Sequence, residues 1–265
     1  MSAPTILQRI AEERRADVAH ERGRLTLDVL RELALKTAAP RGGFKAGLRS
    51  EHLNVIAEVK RASPSKGRIA DIPSPLELAK AYSDGGAAAI SVLTEPRHFL
   101  GSKEDLHDVS TAISTPTMRK DFLIDPYMIW EARLWGASAC LLIVALLPSV
   151  EALAPMLEEA RLAGLDVLVE THDAEELAVA IDAGAEIIGV NHRNLHTFET
   201  DMGLFERLRG RIPSETIAVA ESGIFDRATA SRMRDAGADA ILVGEHLARS
   251  ADPAAAIREL RGVDA

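Results

Sequence analysis

Five times along the chain a glycine closes a helix-like stretch and opens a short run that is apolar at successive positions. The five are Gly86-Ala-Ala-Ala-Ile-Ser-Val, Gly136-Ala-Ser-Ala-Cys-Leu-Leu, Gly164-Leu-Asp-Val-Leu-Val, Gly184-Ala-Glu-Ile-Ile-Gly-Val and Gly237-Ala-Asp-Ala-Ile-Leu-Val. Glycine tolerates the left-handed backbone that ends a helix. A run that is apolar at every position, not every second one, fits a strand covered on both faces, hence a parallel sheet sheathed in helices. Three further runs, Asn54 to Glu58, Pro116 to Met118 and Thr216 to Ala220, complete a set of eight that ends near Glu58, Leu93, Lys120, Ile143, Glu170, Asn191, Glu221 and Gly244. The gaps hold helical segments: Pro75 to Ser83, Pro126 to Trp135, Val150 to Ala163, Ala174 to Ala183, Asp226 to Ala236 and Pro253 to Arg261.

Eight strand–helix units predict an α/β fold, a single (β/α)8 barrel over residues 49–265. A doubly wound open sheet is the alternative; it usually has fewer strands, and no Gly-x-Gly-x-x-Gly follows the first run. Residues 1–48 form an N-terminal helical extension. Ile6, Ile10, Ala11 and Val18 recur at helical spacing, and Leu27 to Lys36 reads as a second helix. The pattern leaves two places open for it, the bottom of the barrel or the mouth of the site. Pro40 and Gly42-Gly43 mark a turn.

Composition narrows the picture. Of the 265 residues 47% are hydrophobic but only 4% aromatic, so the core is built from Ala, Val, Ile and Leu and the chain is too apolar to be disordered. One cysteine, Cys140, excludes a disulfide framework and a cysteine-based zinc site, and its place in the fourth run predicts an inert buried thiol. A net charge of -9 argues against nucleic acid as a partner, while leaving room for a small anion in a locally basic pocket. The N-terminus has no targeting pattern, and the longest apolar stretch, Cys140 to Leu147, falls far short of the ~20 residues a membrane helix needs. The expectation is a cytoplasmic protein with no membrane partner. His20, His52, His98, His107, His172, His192, His196 and His246 form no metal-binding spacing on a helix and read as surface or loop residues. No metal and no cofactor is expected.

In a barrel of this class the chemistry sits at the C-terminal ends of the strands. Alone, a charged residue at a strand end is ordinarily solvated. Together, Glu58, Glu170, Glu221, Lys60, Lys120 and Asn191 would ring one mouth, and charge at that density needs opposite partners or a charged ligand. Lysines beside carboxylates suit general acid–base work. Ser222-Gly223 and Gly244-Glu245, followed by a short helix, fall where barrels of this class hold a phosphate. The long loop from Lys60 to Pro73, rich in Ser, Gly and Pro, reads as a mobile lid.

Several segments then converge on one family. They are Ile56-Ala-Glu-Val-Lys-Arg-Ala-Ser-Pro-Ser, Ile90-Ser-Val-Leu-Thr-Glu, Phe99-Leu-Gly-Ser, Arg119-Lys-Asp-Phe-Leu-Ile-Asp-Pro-Tyr, Leu168-Val-Glu, Ile188-Gly-Val-Asn-His-Arg-Asn-Leu, Ala220-Glu-Ser-Gly-Ile and Leu242-Val-Gly-Glu. In this order the chain resembles the indole-3-glycerol-phosphate synthases, barrel enzymes of tryptophan biosynthesis. The resemblance implies ring closure of 1-(2-carboxyphenylamino)-1-deoxyribulose 5-phosphate with loss of carbon dioxide and water. It implies Lys120 as general acid, Glu170 as the carboxylate that moves a proton, and Glu58 and Asn191 on the substrate hydroxyls. Lys60 would be the loop lysine that meets the substrate's anionic groups. The division of acid and base duties among Lys60, Glu58 and Glu170 stays open. Ser63, Arg193, Phe122 and Leu242 would touch substrate, and Ser222, Gly223, Gly244 and Glu245 would cradle the phosphate. Some relatives carry serine where this chain has Glu245, so a backbone contact is expected there. Met128 and Thr171 depart from the family pattern at positions that bear on packing. The partner implied is a phosphorylated small molecule, with the chain a monomer. The rivals are phosphoribosylanthranilate isomerase, which relies on a cysteine–aspartate pair, and a non-catalytic barrel that binds a phosphorylated ligand.

Overall fold

The computed structural model describes residues 5–41, 43–50, 52–194 and 197–262. Eight parallel strands follow the apolar runs: β1 (Asn54–Val59), β2 (Ala89–Leu93), β3 (Thr117–Lys120), β4 (Ala139–Ile143), β5 (Asp166–Thr171), β6 (Ile187–Asn191), β7 (Ile217–Glu221) and β8 (Ala240–Val243). Each pairs with its neighbours in chain order, and β1 closes the barrel against β8 through the register Asn54↔Ala240 to Ala57↔Val243. Apolar side chains of successive positions go to opposite faces. Ile56, Met118, Leu141, Leu168 and Val219 fill the interior, while Val55, Val92, Cys140, Val169 and Ile241 pack outwards on the helices.

Those helices are α4 (Pro75–Asp84), α5 (Lys103–Ala112), α6 (Pro126–Leu134), α7 (Val150–Ala163), α8 (Ala174–Asp182), α9 (Leu204–Arg209), α10 (Arg227–Asp235), α11 (Glu245–Arg249) and α12 (Pro253–Arg261), preceded in the extension by α1 (Ile6–Arg22), α2 (Leu27–Lys36) and α3 (Phe44–Gly47). Their ends carry local signals. Ser74, Asp125 and Asp252 cap α4, α6 and α12 with a proline just inside, and Gly164 closes α7 in the left-handed conformation. Helices α3, α5 and α9 were not singled out by sequence pattern. Two are only four and six residues long, and α5 buries only Leu106, Val109 and Ser110.

The extension occupies both places left open by its sequence. At the mouth, Leu7 and Ile10 of α1 turn inwards over the site. At the opposite end, Phe44 and Leu48 are fully buried against the interior layer. There the Lys45 N–H donates to the Asp166 carboxylate at the start of β5 (2.8 Å), and Asn54 Nδ2 donates to the Leu48 carbonyl (3.0 Å). Gly42 of the predicted turn and His196 lie outside the described residues. No helix among the described residues is long and apolar enough to cross a membrane.

Candidate active site

The strand ends open into one cleft of about 1150 Å³, its open mouth included. Every residue nominated from sequence lines it: Lys120, Glu170, Glu58, Lys60 and Asn191, then Ser63, Arg193, Phe122 and Leu242, then Ser222, Gly223, Gly244 and Glu245. Lys120, the last residue of β3, sits at the centre. Its Nζ donates to Glu170 Oε2 at 2.8 Å and to Glu221 Oε2 at 3.3 Å. Asn191 at the end of β6 donates through Nδ2 to Glu170 Oε1 (3.1 Å) and accepts the Arg193 N–H on Oδ1 (3.0 Å). Lys60 forms an ion pair with Glu58 across the top of β1.

Two glycines make room for these carboxylates. A Cβ on Gly189 in β6 would lie 2.0 Å from Glu221 Oε1, and one on Gly244 would lie 2.5 Å from Glu58 Oε1. Gly244 thus clears space for a carboxylate as well as standing at the start of α11. Gly189 was not nominated from sequence, where it reads as one more residue of an apolar run.

Burial sets the protonation states. Burial alone would lower the Lys120 ammonium pKa, but Glu170, Glu221 and Glu58 outweigh it and raise it. Burial likewise opposes the charge on Glu170, yet Lys120 and His172 hold it well below the usual carboxylate range. Glu221 goes the other way. Burial pushes it up to about 8, and the charge on Glu170 adds to this while Lys120 resists. One cation therefore serves two carboxylates, and they part company. The centre is not locally basic as the charge pattern suggested, because Lys60 and Lys120 are both taken up by buried carboxylates. The remaining cations are at the rim, where Arg193 donates to Ser65 Oγ (3.3 Å). Ser63 Oγ lies 3.4 Å from Ser65 Oγ. This ties Arg193 to the loop after β1, which is a tight hairpin pairing Ala62–Ser63 with Gly67–Arg68.

After β7 the backbone turns through two successive left-handed residues, Ser222 (φ 67) and Gly223 (φ 78). The first is unusual for a residue with a Cβ. His192 braces the turn: its Nδ1 is 2.9 Å from the Ser222 carbonyl and its N–H donates to the Glu221 carbonyl (3.0 Å). The Glu245 carboxylate faces Arg249 (3.4 Å) and Lys66 (3.8 Å), and no side chain caps the start of α11.

Two histidines read as surface or loop residues are loop residues, as read, but are not at the surface: His192 is 1% exposed, and the His172 side chain is 10% exposed between Glu170 and Glu176. Glu221 was recognised as a strand-end carboxylate but given no role, and the shared lysine supplies one. Cys140 is a buried thiol pushed up to about 12 by burial. Thr171 is buried with its hydroxyl donating to the Gly189 carbonyl (2.9 Å), and Met128 is buried in α6, so both departures from the family pattern are accommodated by packing. Away from the cleft, Glu13, Glu95 and His98 bring three ligand-type atoms together. Both Glu95 oxygens already accept N–H groups, from Arg97, His98 and Phe99, which makes the trio a loop closure.

Comparison with known proteins agrees with this geometry. The family described as "Indole-3-glycerol phosphate synthase" matches residues 7–260. The indole-3-glycerol phosphate synthase of Mycolicibacterium smegmatis is 50% identical over 262 residues, covering 98% of this chain and 95% of its own. That of Streptomyces griseus is 47% identical over 256 residues, covering 97% and 94%. Among solved structures, 3-hexulose-6-phosphate synthase from Salmonella typhimurium superposes with a TM-score of 0.61 at 14% identity over 79% of this chain and 97% of that one. Thiamine phosphate pyrophosphorylase from Pyrococcus furiosus gives 0.60 at 16% over 79% and 94%. These two show the barrel alone. With a family match from the first helix to the last, and the resemblance segments gathered around one cleft, the chain belongs to the indole-3-glycerol phosphate synthase family.

Proposed function

We propose that the cleft carries out its family's reaction with Lys120 as general acid and Glu170 as general base. The substrate is 1-(2-carboxyphenylamino)-1-deoxyribulose 5-phosphate and the product indole-3-glycerol phosphate, which makes the chain a decarboxylating lyase of tryptophan biosynthesis. The observation that carries the residue roles is the position of Lys120 Nζ between Glu170 and Glu221 at 2.8 and 3.3 Å. A lysine so placed is held charged and aimed, ready to protonate an oxygen.

The ring carbon that bears the carboxylate attacks the ketone carbon, and Lys120 delivers its proton to the ketone oxygen. Carbon dioxide then leaves and returns its bonding electrons to the benzene ring. Phe122, Leu242, Leu7 and Ile10 give the benzoate apolar walls. A carboxylate stripped of water there is destabilised, and its departure as neutral carbon dioxide removes the charge. Lys60 then gives a proton to the new hydroxyl, which leaves as water, and Glu170 takes a proton from the neighbouring methylene carbon to complete the indole. Glu58 and Asn191 hold the hydroxyls through this dehydration, Glu221 keeps Lys120 in place, and Lys60, Ser63 and Arg193 meet the substrate's anionic groups. The backbone of Ser222, Gly223, Gly244 and Glu245 receives the phosphate. No step calls for a cofactor.

The chain works as a monomer in the cytoplasm, where phosphorylated sugar derivatives are made; sedimentation at micromolar concentration tests the monomer. Incubation with the carboxyphenylamino-ribulose phosphate, followed by indole fluorescence, tests the activity. Signal that grows with enzyme and time is expected. No signal at high enzyme concentration would leave the non-catalytic phosphate-binding barrel in possession of the cleft.

A further inference from the structure

Glu170 and Glu221 face the same lysine from adjacent positions across the mouth, and on Lys120 alone nothing makes one of them the base. The difference lies behind the cleft. His172, just past the end of β5, is absent from the cleft lining. Its Nε2 lies 3.2 Å from Glu170 Oε1, and its Nδ1 lies 3.0 Å from Glu176 Oε2 in the first turn of α8. Glu176 is itself fixed, because Oε2 also accepts the His172 N–H (2.8 Å) and its own N–H donates to the Asp173 cap (2.8 Å). Nδ1 is within hydrogen-bond distance of Glu176, while Nε2 faces Glu170 as a 3.2 Å ion-pair contact without a hydrogen bond; only an imidazolium carries a proton toward both carboxylates.

Glu170 therefore meets Lys120 on one oxygen, and Asn191 and His172 on the other. Glu221 meets Lys120 on Oε2, while its buried Oε1 has no hydrogen-bond partner among the described residues. Glu170, Glu221 and Glu58 face Lys120, Lys120 and His172 face Glu170, and Glu170 and Glu176 face His172.

We infer that His172 is a positioning residue that makes Glu170, not Glu221, the general base, by adding a second cation to one of two carboxylates that otherwise share a single lysine. The inference rests on the reading of Glu170 as the base. Its direction agrees with the environment of the ring: burial disfavours the charged imidazole, but Glu170 and Glu176 overcome it and push His172 up to about 10. The proton shared by the pair then resides on Glu221, and Glu170 is free to accept one from substrate.

The experiment replaces the charge and keeps the shape. In His172→Gln the amide can still donate to Glu170, but no cation remains. The acid limb of the kcat–pH profile, set by Glu170, is expected to move up by roughly one to three pH units, with KM changing less than about twofold and His172→Arg restoring most of the limb. A limb that stays in place in His172→Gln overturns the inference, as does an equal loss of kcat at every pH, which a merely structural role would give. An Arg variant as shifted as the Gln variant overturns it too. Should His172→Gln fail to fold, isotope-labelled histidine in the unaltered enzyme decides: a charged His172 ring at pH 8 supports the inference and a neutral ring at pH 7 overturns it. Glu170→Gln separates the two readings, because normal turnover in that variant removes Glu170 as base whatever His172 does.

Discussion

Two clusters of buried charge hang from the end of β3, back to back. Lys120 turns into the cleft, while Arg119 and the Asp121 carboxylate, which still borders the cleft, reach Arg14 of the extension and α6. The outward cluster is built around Asp121, both of whose oxygens are hydrogen-bonded. Asp121 Oδ2 accepts from Arg14 (2.9 Å), Arg119 (3.1 Å) and Thr94 Oγ1 (2.7 Å), and Oδ1 accepts the Phe122 N–H (2.8 Å). Arg119 also donates to the Met128 carbonyl (2.6 Å) and to Glu131 (3.0 Å). Arg14 also pairs with Asp17 (2.8 Å), so two arginines meet three carboxylates, and Asp121 is met by both. In the inward cluster Lys60, Lys120 and His172 meet Glu58, Glu170, Glu176 and Glu221, and among the described residues Glu221 Oε1 has no hydrogen-bond partner. Burial does not distinguish a scaffold from a reactive centre; how many cations meet each central carboxylate does. Asp121, met by two arginines, is held ionised, whereas Glu221, which shares one lysine with Glu170, is pushed up and can hold a proton.

The comparison breaks most sharply at Lys120. Lys120→Ala should reduce turnover between about 10²- and 10⁴-fold while inorganic phosphate still binds; near-normal indole formation would remove the lysine as acid. Its outward neighbour should answer through stability. Asp121→Ala leaves Arg14 and Arg119 buried beside each other, and about 3–5 kcal/mol of stability is expected to be lost, read by urea unfolding. If the loss stays under about 1 kcal/mol, the outward cluster is not the anchor described. Gly189→Ala drives a methyl onto Glu221 and should cost on the order of 1–3 kcal/mol together with a fall in kcat, whereas Gly184→Ala in the exposed turn before β6 should leave kcat alone. Equal kcat values for the two would detach Glu221 from the reaction.

The comparison also predicts a pH dependence of stability. With Glu221 raised to about 8, the folded state holds a proton there that the unfolded chain releases near the ordinary glutamate value, so stability falls as pH rises from that value through about 8 and levels off above it. The melting temperature should drop across that window, and Glu221→Gln should flatten the slope. An unchanged slope in that variant would place the titration elsewhere.

Much of this was legible in the chain. Seven strands announce themselves because they are apolar on both faces, whereas β3, with Arg119 on its outer face, shows only a short apolar start; α7 was bounded correctly because Ser149 and Gly164 supply local signals at both ends. The cleft residues were legible for a related reason: a charge at the end of an apolar run is conspicuous. What escaped is what depends on distance in sequence. Arg14 finds Asp121 across 107 positions, and nothing local marks either as a partner. His172 looks like any loop histidine until α8 folds back to bring Glu176 against it. Gly189 matters only through a side chain on the next strand. The extension resisted placement because its two ends do different things.

That divided extension also sets an order of assembly. Its residues leave the ribosome first, yet α1 cannot seat until Asp121 exists, and α3 cannot until Asp166 does, 121 positions after Lys45. The barrel itself stays open until β8 reaches β1. The earliest segment made is thus among the last to settle, and its apolar face must wait uncovered during synthesis. A nascent chain of this kind is most exposed to aggregation before its final strand emerges.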